Sequence, residues 1–204
     1  QINSAGTMEI VGRNITLRGG DGTFSGPVGR DVWFKSGGNQ TLTATGAGGQ
    51  ILLQAGSADN TAYGGTNNYG GGANAWSDAG QTISTKNVVL LGGAGGHDAS
   101  AGFTAYGNQT INITGTGGHL ELTGGGSAGS YNNQARLQHG VNIYGGNVYY
   151  GAGVQTINIG GSGHVVITAG SGTGNLGYYD QDCFAVLGNA CRGSSNGASI
   201  DNGI

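Results

Sequence analysis

The stretch Gln109-Thr110-Ile111-Asn112-Ile113, followed by His119-Leu120-Glu121-Leu122-Thr123-Gly124-Gly125, decides the fold. It returns as Gln155-Thr156-Ile157-Asn158-Ile159, followed by His164-Val165-Val166-Ile167-Thr168-Ala169-Gly170. Looser copies open at Gln40-Thr41-Leu42-Thr43, leading to Gln50 through Gly56, and at Gln81-Thr82-Ile83-Ser84, leading to Val88 through Gly93. A degenerate first copy, Thr7-Met8-Glu9-Ile10, leads to Asn14 through Gly20. The units start near residues 7, 41, 82, 110 and 156, so successive starts lie 34, 41, 28 and 46 residues apart. Self-similarity on this scale marks a repeat architecture.

The apolar period within each copy is two. Ile111 and Ile113 alternate with Asn112, and Leu120 and Leu122 with Glu121. Such alternation puts one set of side chains on a buried face and the other in solvent. Runs this short cannot stand as isolated hairpins. Stacking successive copies as a parallel β-solenoid buries the apolar stripe and pairs each strand on both edges. Five to eight coils are expected, about 4.8 Å apart. Less regular third segments, Val28 to Lys35, Ala73 to Trp76, Ala101 to Tyr106, Gln134 to Gln138 and Phe184 to Leu187, read as third strands or bulging loops. Insertions such as Ala58 to Gly72 and Val141 to Gly151 are expected to protrude from one side.

Composition supports this reading. Glycine fills 48 of 204 positions, and there is one proline, Pro27. Collagen needs a strict glycine period and abundant proline, so it is excluded. Interior glycine costs a helix roughly 1 kcal/mol each, which disfavours helices. A net charge of −3 with many Val, Ile and Thr residues is not the signature of disorder. The seven Lys and Arg residues form no basic patch, so nucleic acid is not an expected partner. No apolar run approaches the ~20 residues of a membrane-spanning helix.

At this point the repeats resemble those of filamentous haemagglutinin-like bacterial exoproteins. The phrases at Gln109 to Ile113 and Gln155 to Ile159 carry the likeness, with Asn132 to Leu137 resembling a third strand of such repeats. The resemblance covers most of residues 7 to 175. It implies a right-handed parallel β-helix at a cell surface, with a role in adhesion or matrix, and it supplies no catalytic residues. The chain is much shorter than a full adhesin, and no secretion-domain signature stands at its start. It begins Gln1-Ile2-Asn3-Ser4 without an initiator Met and is read as a processed chain.

Residues 1–176 are assigned to the solenoid and 177–204 to an irregular segment that serves as a cap or an inter-subunit contact. Cys183 and Cys191 within it read as a local disulfide, which points to an oxidising, secreted or cell-surface setting. His119 and His164 share a repeat position and are expected to stack as a polar ladder; His97 and His139 join no ligand set. Asp21, Asp59 and Asp98 follow Gly-rich corners. Plain turn carboxylates are favoured there over the calcium-binding nonapeptide turn suggested by Gly92 to Asp98. Four Asn-x-Thr triplets, at Asn14, Asn39, Asn108 and Asn112, fall on or beside strands and read as ladder positions, because a glycan there would obstruct stacking. No metal, cofactor or catalytic residue is assigned. A β-helical polysaccharide lyase or hydrolase would need carboxylates or basic residues gathered on one face, and the ten acidic residues are scattered.

Tyrosines Tyr63, Tyr69, Tyr144, Tyr149 and Tyr150 lie in the variable segments and are candidate contacts for glycans or host surfaces. Trp33 and Trp76 are assigned to packing under loops. Ile2, Ile10, Ile200 and Ile204 are candidate assembly residues, because uncapped solenoid ends can join copies of the chain head to tail. The leading expectation is an extracellular structural fibre subunit, not an enzyme; the alternative is a fragment of a β-helical adhesin.

Overall fold

A computed structural model of the protein describes residues 1–24, 31–57, 59–60, 71–94, 99–126, 133–144, 147–150, 153–168, 170 and 198–202. These residues are all-β and contain no helix. Three parallel sheets make up the body. Sheet A stacks β1 (Ile2–Ser4), β5 (Val32–Ser36), β9 (Ala73–Ser77), β12 (Ala101–Ala105), β15 (Ala135–His139) and β20 (Ala198–Asn202). Sheet B stacks β2 (Met8–Gly12), β6 (Gln40–Ala44), β10 (Gln81–Thr85), β13 (Gln109–Ile113) and β18 (Gln155–Ile159). Sheet C stacks β3 (Ile15–Arg18), β7 (Gln50–Gln54), β11 (Asn87–Leu91), β14 (His119–Thr123) and β19 (His164–Thr168). The chain visits A, B and C in the same order throughout, so each coil lies on the one before it.

Register follows from the period of two. Ile10, Leu42, Ile83, Ile111 and Ile157 form one inward column of sheet B. Ile15, Ile51, Val88, Leu120 and Val165 form one in sheet C, and Leu17, Leu53, Leu90, Leu122 and Ile167 the other. In sheet A the inward column alternates in size as Phe34, Ala75, Phe103 and Leu137. Ala75, between the two phenylalanines, leaves room for both rings, and Phe103 is completely buried. A one-residue slip would turn every one of these columns to solvent, which fixes the register.

Glycine is required where sheet C turns toward sheet A. A Cβ on Gly56 would sit on the carbonyl oxygen of Gly20, and one on Gly125 on that of Gly93. Backbones there approach too closely for any side chain.

The structure departs from the sequence reading in three places. The first repeat pairs Met8 with Gln40, a spacing of 32 residues, two short of the spacing read from the aligned phrases. The shift is even, so the buried face was still identified. The last strand of sheet A is Ala198–Asn202, paired with β15, whereas Phe184 to Leu187 lies outside the described residues. Residues 198–202 therefore continue the repeat inside the segment assigned as irregular. The insertions also leave from two corners. Between sheets C and A, β4 (Thr23–Phe24) pairs in parallel with β8 (Asp59–Asn60), while β16 (Val141–Tyr144) and β17 (Asn147–Tyr150) form an antiparallel hairpin between sheets A and B.

Candidate functional site

Two features of the stack bear on function: polar columns along its length, and strand edges left open at its ends. The longest polar column is an amide ladder at the first inward position of sheet B. Gln81 Nε2 donates to Gln40 Oε1 at 2.7 Å, Gln109 Nε2 to Gln81 Oε1 at 2.8 Å, and Gln155 Nε2 to Gln109 Oε1 at 2.7 Å. The second amide hydrogens are used across the interior, from Gln81 to Ala75 O at 3.0 Å and from Gln109 to Gln138 O at 3.2 Å. Gln40, Gln81 and Gln109 are buried, which is tolerable because each amide is hydrogen-bonded. Every link donates toward the N-terminal end. There the series stops at Met8, whose Sδ lies 3.7 Å from Gln40 Nε2. The reading from sequence recognised the recurring glutamines as repeat markers and missed their role as a buried chain of hydrogen bonds. Their place at an inward position of an alternating strand was the available signal.

A second polar column runs on the outward side of sheet B. Asn158 Nδ2 donates to Asn112 Oδ1 at 2.9 Å, and Asn112 Nδ2 to Ser84 Oγ at 3.2 Å. A shallow groove lies along it, lined by Ser84, Asn112, Thr114, Asn158 and the turns at Gly115 and Gly160. Corner asparagines also bridge coils. Gly80 N donates to Asn39 Oδ1 at 2.9 Å, Val154 N to Asn108 Oδ1 at 2.9 Å, and Gln50 N to Asn14 Oδ1 at 3.0 Å. The Asn side chains of all four Asn-x-Thr triplets are thus engaged in coil-to-coil hydrogen bonds. On sheet C, His119 and His164 stack with ring centroids 5.6 Å apart and planes 22° from parallel, as their shared repeat position predicts.

Asp21 caps the neighbouring coil: its Oδ1 accepts from Ser57 N at 2.8 Å and from Ser57 Oγ at 3.1 Å. The backbone hydrogen bond from Ser57 is the main cause that holds the Asp21 carboxyl below its ordinary range. Asp59 is described only in its backbone, paired with Thr23, and Asp98 lies outside the described residues. No group of three or more His, Cys, Asp or Glu side chains converges among the described residues. Trp33 and Trp76 pair on the outward side of sheet A with centroids 6.5 Å apart, and Trp76 Nε1 donates to Asp78 Oδ1 at 2.7 Å.

Cys183, Cys191, Tyr63, Tyr69 and Ile204 lie outside the described residues. Tyr144, Tyr149 and Tyr150 belong to the hairpin between sheets A and B, where Val141 faces Tyr150 and Asn142 faces Tyr149. Ile2, Ile10 and Ile200 lie at the two ends of the stack. Strands β1, β2 and β3 terminate the three sheets on one side, and β20, β18 and β19 on the other. Each of these six strands has one edge without a partner strand among the described residues. Among the residues whose burial is described, the exposed large apolar side chains Ile2, Val11, Val154, Val165 and Val166 all lie on or beside those end strands. No family model, no curated protein and no solved structure matches the chain.

Proposed function

We propose that this chain is an extracellular structural fibre subunit of a bacterial surface or biofilm matrix, built as a right-handed parallel β-helix of the filamentous haemagglutinin-like kind and assembling head to tail. The observation that carries the reading is the state of the ends. The interior of the stack is closed by hydrogen bonds and apolar columns. Among the described residues its terminal strands have one edge without a partner strand, and the large apolar side chains described as exposed lie on or beside those strands. Open edges invite pairing with another chain, and a contact between unlike ends propagates without closing. The few charges on the chain offer little repulsion against such growth. A disulfide between Cys183 and Cys191 suits the oxidising surroundings of a secreted fibre. Electron microscopy of the purified chain over a concentration series, with light scattering alongside, tests the proposal. Unbranched fibres that lengthen with concentration are expected. A strictly monomeric chain at every concentration overturns it.

A further inference from the structure

The head-to-tail reading leaves the joint undefined, and the strand counts constrain it. Sheet A holds six strands, and sheets B and C hold five each. A second copy displaced by five coils brings its β2 onto β18 and its β3 onto β19. Its β1 then falls at the level that β20 already fills on sheet A. We infer that the joint forms by strand replacement: β20 of one copy keeps that place, the incoming copy releases its own β1, and β20 pairs with the incoming β5. The inference rests on the fibre reading and extends it.

The two strands suit one place. Ile2-Asn3-Ser4 and Ile200-Asp201-Asn202 both open on isoleucine followed by Asn or Asp. The internal registers put Ile2 and Ile200 at the same position of sheet A, the column of Phe34, Ala75, Phe103 and Leu137. β1 fills its place poorly. It is three residues long and meets only Phe34, Lys35 and Ser36, so Val32 and Trp33 have no partner strand on that edge among the described residues. Ile2 is 53% exposed, although its column mate Phe103 is fully buried. β20 is five residues long. Its register, carried onto β5, sets Ala198 opposite Val32, Ile200 opposite Phe34 and Asp201 opposite Lys35. All of β5 is then paired. Lys35, which faces Asn3 within its own chain, meets an acidic residue instead. Opposite charges at facing positions favour pairing.

The other two sheets close in step. With β2 on β18, Ile10 joins the column of Ile157; with β3 on β19, Ile15 joins that of Val165 and Leu17 that of Ile167. Val165 is 42% exposed, and its column mate Leu120 is fully buried. A neighbouring coil is what such a position lacks. Within one chain β1 leads into β2; at the joint β20 leads into the incoming β2 in the same way, across a break in the chain. The corner hydrogen bond from Gly37 N to Ser4 O, 2.8 Å long, passes to the carbonyl of Asn202, which stands in the column of Ser4. A strand added to an open edge supplies main-chain hydrogen bonds, and exchange of like elements between copies is a low-cost route to association.

The test uses the full chain. Lys35→Cys with Asp201→Cys sets thiols at facing positions across the inferred joint. Asn3→Cys with Gln138→Cys does so for the opposite arrangement, in which β1 keeps the place and β20 leaves. Within one chain each pair is four strand spacings apart, roughly 19 Å, beyond the ~7 Å reach of a disulfide. Wild-type and single-cysteine chains measure the background from Cys183 and Cys191, and mass spectrometry of the digested product identifies the linked peptides. Mild oxidation of fibres is expected to give a ladder of covalent oligomers joined through positions 35 and 201. Ile2→Gly loosens β1 from its own β5 and is expected to lower the critical concentration for assembly about five-fold, the effect of losing roughly half the burial of one isoleucine. If β1 held the joint, the same change would raise it. Oligomers linked through positions 3 and 138, fibres with neither link, or a critical concentration for Ile2→Gly that is unchanged or raised overturns strand replacement while the fibre reading stands. Absence of fibres from both wild type and Ile2→Gly overturns the fibre reading itself.

Discussion

Replacing Gln81 by leucine removes the middle rung of the amide ladder while keeping a side chain of similar length. Gln81 is 2% exposed and engages in three hydrogen bonds, to Gln40, to Ala75 O and from Gln109. Leucine leaves Gln40 Oε1 without its donor in a dry interior, at about 1–3 kcal/mol. The bonds to Ala75 O and from Gln109 are also lost, each worth about 1 kcal/mol net. Gln109 Nε2 keeps Gln138 O, so it is not stranded. Burying leucine in place of an amide offsets roughly 1–2 kcal/mol. The single variant is therefore expected to be destabilised by about 2–3 kcal/mol. The triple variant Gln40→Leu, Gln81→Leu, Gln109→Leu removes donors and acceptors together and is expected to cost well under three times the single change, because few amides remain unpaired. Urea unfolding followed by circular dichroism and by fluorescence of Trp33 and Trp76 measures both, the two probes checking whether unfolding is two-state. A single variant within about 0.5 kcal/mol of wild type, or a strictly additive triple, would refute the view that the ladder holds the coils as a linked series.

Other positions give independent checks by the same unfolding assay and by pH. Phe103→Ala empties the largest fully buried site and is expected to cost about 3–5 kcal/mol. Gly56→Ala drives a methyl into the Gly20 carbonyl and is expected to cost about 1–3 kcal/mol or more, while Gly48→Ala, with open space around it, changes stability by less than about 0.5 kcal/mol. Asp21 has a carboxyl held below its ordinary value, so its contribution is present above the unfolded carboxylate range and disappears as pH falls through the lowered folded value. Asp21→Asn is expected to remove that component from the pH profile of stability, and exchange of the Ser57 amide is expected to quicken in the variant at neutral pH.

The fold was legible because each signal came from local chemistry that repeats. Alternation in Ile111, Asn112 and Ile113 assigns the faces, and recurrence of the phrase assigns the neighbours. The third strands were harder to place. Ala73–Ser77 and Ala101–Ala105 are rich in small residues, and Ala75 of the first leaves room for Phe34 and Phe103 in the coils on either side. That requirement is visible only once the register is known. The first repeat was set two residues off because Met8 replaces the glutamine that marks the other four copies. The same substitution ends the amide ladder, so the feature that misled the alignment is the one with a physical consequence. The final strand of sheet A, Ala198–Asn202, was read with the irregular segment; no strand of sheet A carries the glutamine phrase, and its place is set by pairing with β15.

Successive coils reach the same height by very different lengths of chain. The steps along the amide ladder are 32, 41, 28 and 46 residues. Pulled along its axis, such a stack would carry the load through its coil interfaces in series, and each rupture would release its own measure of slack. A 46-residue coil holds roughly 150 Å of extended chain and a 28-residue coil roughly 95 Å. The molecule would thus extend under tension in unequal strides, the longest belonging to the coil that carries the antiparallel hairpin.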